Sequence, residues 1–385
     1  MTVLTFSVER TLKGAIGDTV NVRTWRSGSS CGIEASVGQS VGLFLMRDGR
    51  AWTGNLCRQV EPADLLAVTS LPAPDWRGAP AMFVGGNFGP ARTIALDAEG
   101  RTLAYGVGGG ATTLLSMCPG ERVLAEIAQV RTDDRQRATY EIAIREPTSL
   151  RLVRRQRLKL PGWRFATGLV CDNAHASSVV VFASWAGDGS HKAALYRIGL
   201  DRMRAIWQGT GFLSSLDRRR AYLREGAGTD RVLVVDLRTT RAEAILRLPL
   251  GPSLVPNGRD TRLAGLTYRL GQESRIFLVD LRTRPPKVRS VGLAAPEVFG
   301  QVLWLPSGRL LFVPSGGPET VRVLDLGLRT LARFRFTAGD PIVRGSTVFG
   351  LAGRASLISA ELPDGPRRVV RRLPGRAHVL VSATG

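Results

Sequence analysis

The chain of 385 residues carries 53 basic against 32 acidic residues, a net charge of +21, and 44% of it is hydrophobic. That apolar share sustains an ordered core and excludes a wholly disordered chain, and no run approaches the roughly 18 consecutive apolar residues of a membrane-spanning helix. Gly 44 and Pro 21 are scattered between short apolar runs, which fits many short strands and excludes long helices.

Met1 to Val8 is broken at once by Glu9 and Arg10, so it reads as a strand rather than an export signal. Alternating strands are expected at Thr5–Arg10, Thr19–Thr24 and Ser40–Leu45, joined by Gly-containing turns such as Lys13-Gly14 and Ile16-Gly17-Asp18. Gly38-Gln39-Ser40-Val41-Gly42 has the spacing of a hydrolase nucleophile elbow, but that motif needs a strand turning into a helix, and here the text runs into a strand. Ser40 is therefore read as a turn residue. The stretch "VERTLKGAIGDTVNVRT…SGSSCGIEASVGQSVGLFL…GNLC" resembles the netrin-like OB-fold module shared with tissue inhibitors of metalloproteinases, over about 55 residues. The resemblance implies a small barrel in which Cys31 and Cys57 pair. It does not imply protease inhibition, because the N-terminal cysteine that chelates zinc in inhibitory members has no counterpart in this chain.

Leu71-Pro72-Ala73-Pro74 to Pro80 is linker-like in composition. The division expected is an OB-like barrel fragment over residues 1–71, a linker over 72–80 and a second unit over 81–385. In that unit Val232-Leu233-Val234-Val235-Asp236-Leu237-Arg238 returns at Ile276–Arg282 and at Val321–Leu326, the aspartates about 44 and about 45 residues apart. Such a period predicts a β-propeller, built from small sheets that bury their faces only by stacking around an axis. Turns taken to follow the first strand of each unit fall at Asp97, Asp133, Asp172, Asp217, Asn257, Ser307 and Arg344, which gives seven blades. The unbroken apolar runs Val232–Val235 and Ile276–Val279 require burial on both faces, whereas Leu150–Arg155 and Leu331–Phe336 alternate as outer strands should. Ala377–Ala383 is expected to close the ring against Met82-Phe83-Val84, removing exposed edges. The repeats resemble WD-type and related bacterial propellers in architecture, without the Trp-Asp and Gly-His signatures. The fold class is thus all-β, an OB-like fragment followed by a seven-bladed propeller.

Chemistry-bearing residues are few. Asp236, Asp280 and Asp325 end strands before turns and are read as acceptors for turn amides rather than as a carboxylate ring. Gly106-Val107-Gly108-Gly109-Gly110 imitates a dinucleotide fingerprint but opens no helix, so it reads as a blade turn. His175, His191 and His378 are the only histidines. With Asp172 and Asp188 they have the donor types for zinc or acid–base work, but no metal spacing, and they read as solvated. Cys118 and Cys171 stand in adjacent units, where a disulfide is the favoured reading and buried thiols the alternative. Trp163, Trp185, Trp207 and Trp304 read as blade packing.

Nothing in the sequence points to a catalytic, cofactor or metal site. The leading expectation is a monomeric, non-enzymatic binding or scaffold protein that meets a protein partner. Alternatives are a propeller hydrolase or lyase with a site in the axial funnel, and a binder of nucleic acid or another polyanion. The basic residues, nearly all arginine, recur in every repeat; this reads first as the codon bias of a GC-rich genome rather than one patch. Four cysteines fit two disulfides and an oxidising compartment, secreted or cell-envelope, and so an unread upstream start.

Overall fold

The computed structural model describes residues 1–11, 16–25, 32–49, 51–55, 59–60, 62, 78–118, 122–132, 138–159, 165–172, 178–187, 190–199, 202–225, 231–248, 253–257, 261–267, 273–296, 300–315, 320–353, 355–363 and 365–383. Apart from the helical Pro62, the regular elements among them are strands.

The N-terminal strands make two small sheets. Thr2–Ser7 pairs antiparallel with Thr19–Thr24, which pairs parallel with Ala51–Thr53, itself antiparallel to Met46–Asp48; Gly42–Leu43 pairs with Gln59–Val60. Thr19–Thr24 alternates exposed and buried, and its buried Val20 and Val22 join Ile33 in a core that Leu4, Phe6 and Trp52 flank. The second and third expected strands are found in shortened or intact form, while the first begins three residues earlier.

From Met82 onward the chain forms seven four-stranded sheets, each a simple up-and-down meander. In order from the first strand outward, blade one is Arg376–Ser382, Met82–Phe88, Ala91–Leu96 and Thr102–Val107, and blade two is Ala111–Cys118, Val123–Thr132, Ala138–Arg145 and Leu152–Lys159. Blade three is Phe165–Cys171, Val179–Gly187, Ser190–Ile198 and Met203–Thr210; blade four is Phe212–Leu216, Arg220–Arg224, Arg231–Asp236 and Ala242–Arg247. Blade five is Ser253–Pro256, Arg262–Thr267, Glu273–Asp280 and Lys287–Pro296, and blade six is Gly300–Trp304, Leu310–Pro314, Val321–Leu324 and Thr330–Phe334. Blade seven is Gly339–Arg344, Thr347–Ala352, Ser356–Glu361 and Arg368–Arg372.

The first strand of each sheet touches the first strands of the two neighbouring sheets, all the way round. This is a closed propeller. Closure is made as expected from the C-terminal strand, with Leu380 opposite Val84 and Val381 opposite Phe83. The period-two geometry of a strand explains the packing: along Val179–Ala183, Val179, Val181 and Ala183 enter the core shared with blade two, while Val180 and Phe182 enter the core shared with blade four. Each of the seven blade interfaces has its own apolar cluster of this kind. The repeated runs at Val232, Ile276 and Val321 are the third strands of blades four, five and six, flanked by a sheet on either side.

Two of the seven expected turn positions are corrected. Asp97 joins the third and fourth strands of blade one, because that blade takes its first strand from the C-terminus, and Asp133 falls between the second and third strands of blade two, outside the described residues. The other five follow first strands.

Candidate functional site

An even number of strands per blade brings every first strand in from the same face, here the entry face, and sends it out to the same exit face. Near the entry end five of the seven first strands carry a bulge at the same place. The extra residue is Thr113 in blade two, Thr167 in blade three, Ser214 in blade four and His378 in blade one, with Asp340-Pro341 holding the position in blade seven. A bulge leaves one residue out of the ladder and re-aims its side chain, a device common near sites. The result is a level of polar residues around the axis. Ser214 is buried, Thr113, Asp340 and His378 are half-buried, and Thr167 is exposed.

At the exit end the first strands are tied together. Cys118 and Cys171 are the last residues of the first strands of blades two and three, and they form a disulfide with Cα atoms 5.6 Å apart. The Ser116 hydroxyl lies 3.6 Å from Cys171 Sγ. Arg218, in the turn after the first strand of blade four, reaches past blade three and donates to the Met117 carbonyl at 3.2 Å. Trp304 of blade six donates its indole N–H to the Val255 carbonyl of blade five at 2.8 Å.

The two histidines among the described residues stand on different strands of different blades. His378 stands on a first strand and His191 is the second residue of the third strand of blade three, opposite Ala186. Strands in a sheet lie about 4.8 Å apart, so the two backbones differ by roughly 10 Å in their distance from the axis. His175 and Asp188 lie outside the described residues, and so do Cys31, Cys57 and Trp163. Among the described residues no group of three or more His, Cys, Asp or Glu is placed to hold a metal ion. Ser40 donates to Glu9 at 2.7 Å and leads into Gly42–Leu43, a strand, so the elbow-like spacing is a turn.

The densest set of charges is buried between blades one and two. Arg92 and Arg145 are each 1% exposed and Glu126 is 0% exposed. Arg92 bonds Glu126 through Nε and Glu141 through Nη2 at 2.7 Å; Arg145 bonds Glu126 at 2.8 Å, and Thr93 donates to the same carboxylate at 2.6 Å. The remaining guanidinium donors meet carbonyls: Arg145 reaches Val107 at 2.9 Å and Leu150 at 3.0 Å, and Arg92 reaches Gly109 at 3.0 Å. Two cations and two anions in mutual contact offset one another's charge in a dry interface, where either sign alone would be costly. Gly106 and Gly108 now have a reason. A Cβ on Gly108 would stand 2.8 Å from Arg92 Nε, and one on Gly106 would stand 3.1 Å from Arg145 Nε. The end of the fourth strand of blade one and the connection that follows it lie against both guanidiniums.

The strand-ending aspartates do what their position suggests. Asp236 accepts from the Thr239 amide at 2.5 Å, Asp280 from Arg282 at 3.0 Å, and Asp325 from Gly327 at 2.8 Å and Arg329 at 2.9 Å. Asp97 in blade one does the same for Glu99 and Arg101. Three of these turns carry a left-handed residue, Gly100 after Asp97, Thr240 after Asp236 and Leu328 after Asp325. The Arg282 guanidinium, bonded to Asp280, holds that carboxyl well below the usual range. Burial raises the Tyr140 phenol.

The buried Arg92–Glu126–Arg145–Glu141 set escaped sequence reasoning. Its signal was legible: Glu126 in Val123–Ala128 and Glu141 in Tyr140–Ile144 interrupt apolar strands at positions that face a neighbour. The bulges at Thr113, Thr167 and Ser214 had none, because a register shift is a property of the pair and not of either strand.

No protein-family model and no curated protein matches the sequence. Solved structures do. A 6-phosphogluconolactonase-like protein of Bacteroides fragilis superposes with a TM-score of 0.57 at 13% identity, over 81% of this chain and 99% of that one. A counterpart from Bacteroides uniformis gives 0.53 at 10% identity, over 79% and 99%. The dihydro-heme d1 dehydrogenase NirN gives 0.50 at 14% identity, over 82% and 78%. At these identities the likeness is one of fold, and propellers carry unrelated activities.

Proposed function

We propose that the chain is a non-enzymatic propeller of the binding or scaffold type, secreted or of the cell envelope, which presents turns and strand edges to a protein partner and works as a monomer without a cofactor. In this reading residues 1–71 form an accessory netrin-like OB module, 72–80 a linker and 81–385 the wheel. One observation carries it. The groups with most chemical potential, the strand-ending aspartates, the Cys118–Cys171 pair and the buried Arg92–Glu126–Arg145–Glu141 set, are engaged in shaping turns or tying blades.

A second reading, a hydrolase or lyase acting at the axis, is favoured by the shared level of bulges that includes His378. Cross-linking separates the two. A photo-reactive residue at Thr239 or Gly308, in exit-face turns, should trap one discrete partner in the cells that make the protein. Turnover in a broad hydrolase and lyase screen that is lost in His378→Ala would contradict the scaffold reading. The third alternative, an anionic-polymer binder, predicts retention on DNA or heparin that weakens steeply with salt.

A further inference from the structure

The arginines recur in every blade, but they are not evenly presented. Leu152–Lys159, the outer strand of blade two, has Arg154, Arg155, Arg157 and Lys159 and no acidic residue, and Arg151 precedes it. As the last strand of its sheet it leaves one row of backbone N–H and C=O groups without a neighbouring strand among the described residues. It is eight residues long, room for an added strand of about 25 Å at 3.3 Å per residue. Leu152 and Val153 are 40% and 56% exposed at its start.

The two faces of this strand differ. Arg154 is drawn inward, donating to the Gly199 carbonyl of blade three and to Gln156. Arg155 and Arg157 point to the other side and are exposed. Arg155 lies 3.5 Å from Glu141, a carboxylate that Arg92 already holds at 2.7 Å, and Arg157 is opposite that same Glu141 in register. One acid thus faces three guanidiniums, leaving positive charge on the exposed side. Other outer strands offer less: Thr102–Val107 has no charge, and Arg368–Arg372 is five residues long with Arg371 bound to the Gly100 carbonyl.

Residues two apart on a strand are about 6.7 Å apart, which is also the spacing of alternate side chains on a strand laid beside it. We propose that Leu152–Lys159 is a docking edge for an extended acidic segment of a protein partner, which adds as a fifth strand with carboxylates at alternate positions against Arg155 and Arg157. Backbone bonding supplies the affinity, and the planar guanidiniums, which fit carboxylates in bidentate fashion, supply the selection. The free edge favours a peptide over nucleic acid or polysaccharide, which could use the charge but not the ladder. The proposal rests on the scaffold reading and names the partner's chemistry.

The test uses the full chain and a fluorescent peptide of alternating Val and Glu, read by anisotropy at about 50 mM and about 150 mM salt. A peptide of the same charge with proline in place of alternate valines cannot complete the ladder. The expected result is binding of the first peptide, loss of roughly tenfold or more in affinity in Arg157→Glu, weak binding of the proline peptide, and slowed exchange of amides in Leu152–Lys159. Unchanged circular dichroism certifies that Arg157→Glu is folded, and the milder Arg155→Gln is expected to weaken binding in the same direction. Equal binding of both peptides, or competition by heparin or single-stranded DNA without amide protection, would overturn the docking edge in favour of a bare cationic surface. No binding of either peptide would overturn it too, while a partner trapped at Thr239 would leave the scaffold reading standing.

Discussion

Glu126 shows most plainly what one side chain does in this wheel. It is fully buried, accepts from Arg145 and Thr93 and is ion-paired with Arg92, so removing its charge takes from Arg145 the carboxylate it bonds in a dry interface and leaves Arg92 to Glu141. Breaking such a set typically costs about 3–5 kcal/mol. Glu126→Gln is expected to lose about that much in a denaturant titration, and a loss under about 1 kcal/mol would show the set to be solvated. Asp280 contributes to the pH dependence together with Asp236, Glu146 and Glu361, whose carboxyls are also held low. The Asp280 carboxyl is held below the ordinary aspartate value of 3.8 by Arg282, and a depressed folded pKa gives stability that is complete above the unfolded value and is lost as pH falls toward the folded one. The unfolding midpoint of the chain should therefore drop below about pH 4, and Asp280→Asn should flatten that acid limb. An unchanged slope in the variant would refute the assignment. The roles of Asp236, Asp280 and Asp325 were legible because a strand-ending aspartate before Arg-Thr or Gly-Leu is a local signal. That of Arg92 was not: its partners lie on another blade, and only the fold brings them within reach.

At the scale of elements, the third strands announced themselves by being apolar without alternation, since each lies between two sheets. The first strands are less legible. Their polar and small residues, as in Phe165-Ala166-Thr167-Gly168, follow no strict period, because a bulge resets the alternation partway along. The turn phase of blade one was misplaced for a different reason: its first strand comes from the C-terminus. The disulfide is an inter-element tie between the first strands of blades two and three, closing 53 residues of sequence separation. Loops of that size give a cross-link worth about 2–4 kcal/mol. Cys118→Ser with Cys171→Ser should lower stability by that amount in non-reducing buffer, and reductant should lower the melting temperature of the parent but not of the double variant. Equal responses to reductant would show that the thiols are free.

For the whole molecule, composition and a period near 44 residues pointed to stacked sheets, and the C-terminal run that lacked a repeat of its own proved to be the missing first strand of blade one. What the chain does with this wheel is far less legible, since an exposed edge and its arginines become a surface only after folding places them. Closure matters most at this scale. The strand Arg376–Ser382 pairs with Met82–Phe88 and touches the first strands of blades two and seven, more than 250 residues apart in one direction. An open stack would feel the loss of its end only locally. The most direct measurement is hydrogen exchange on the full chain and on a chain ending at Gly375. A closed ring predicts that protection falls in Met82–Leu96 and in Ala111–Cys118 when residues 376–385 are removed; full protection there, with losses confined to blade seven, would contradict closure.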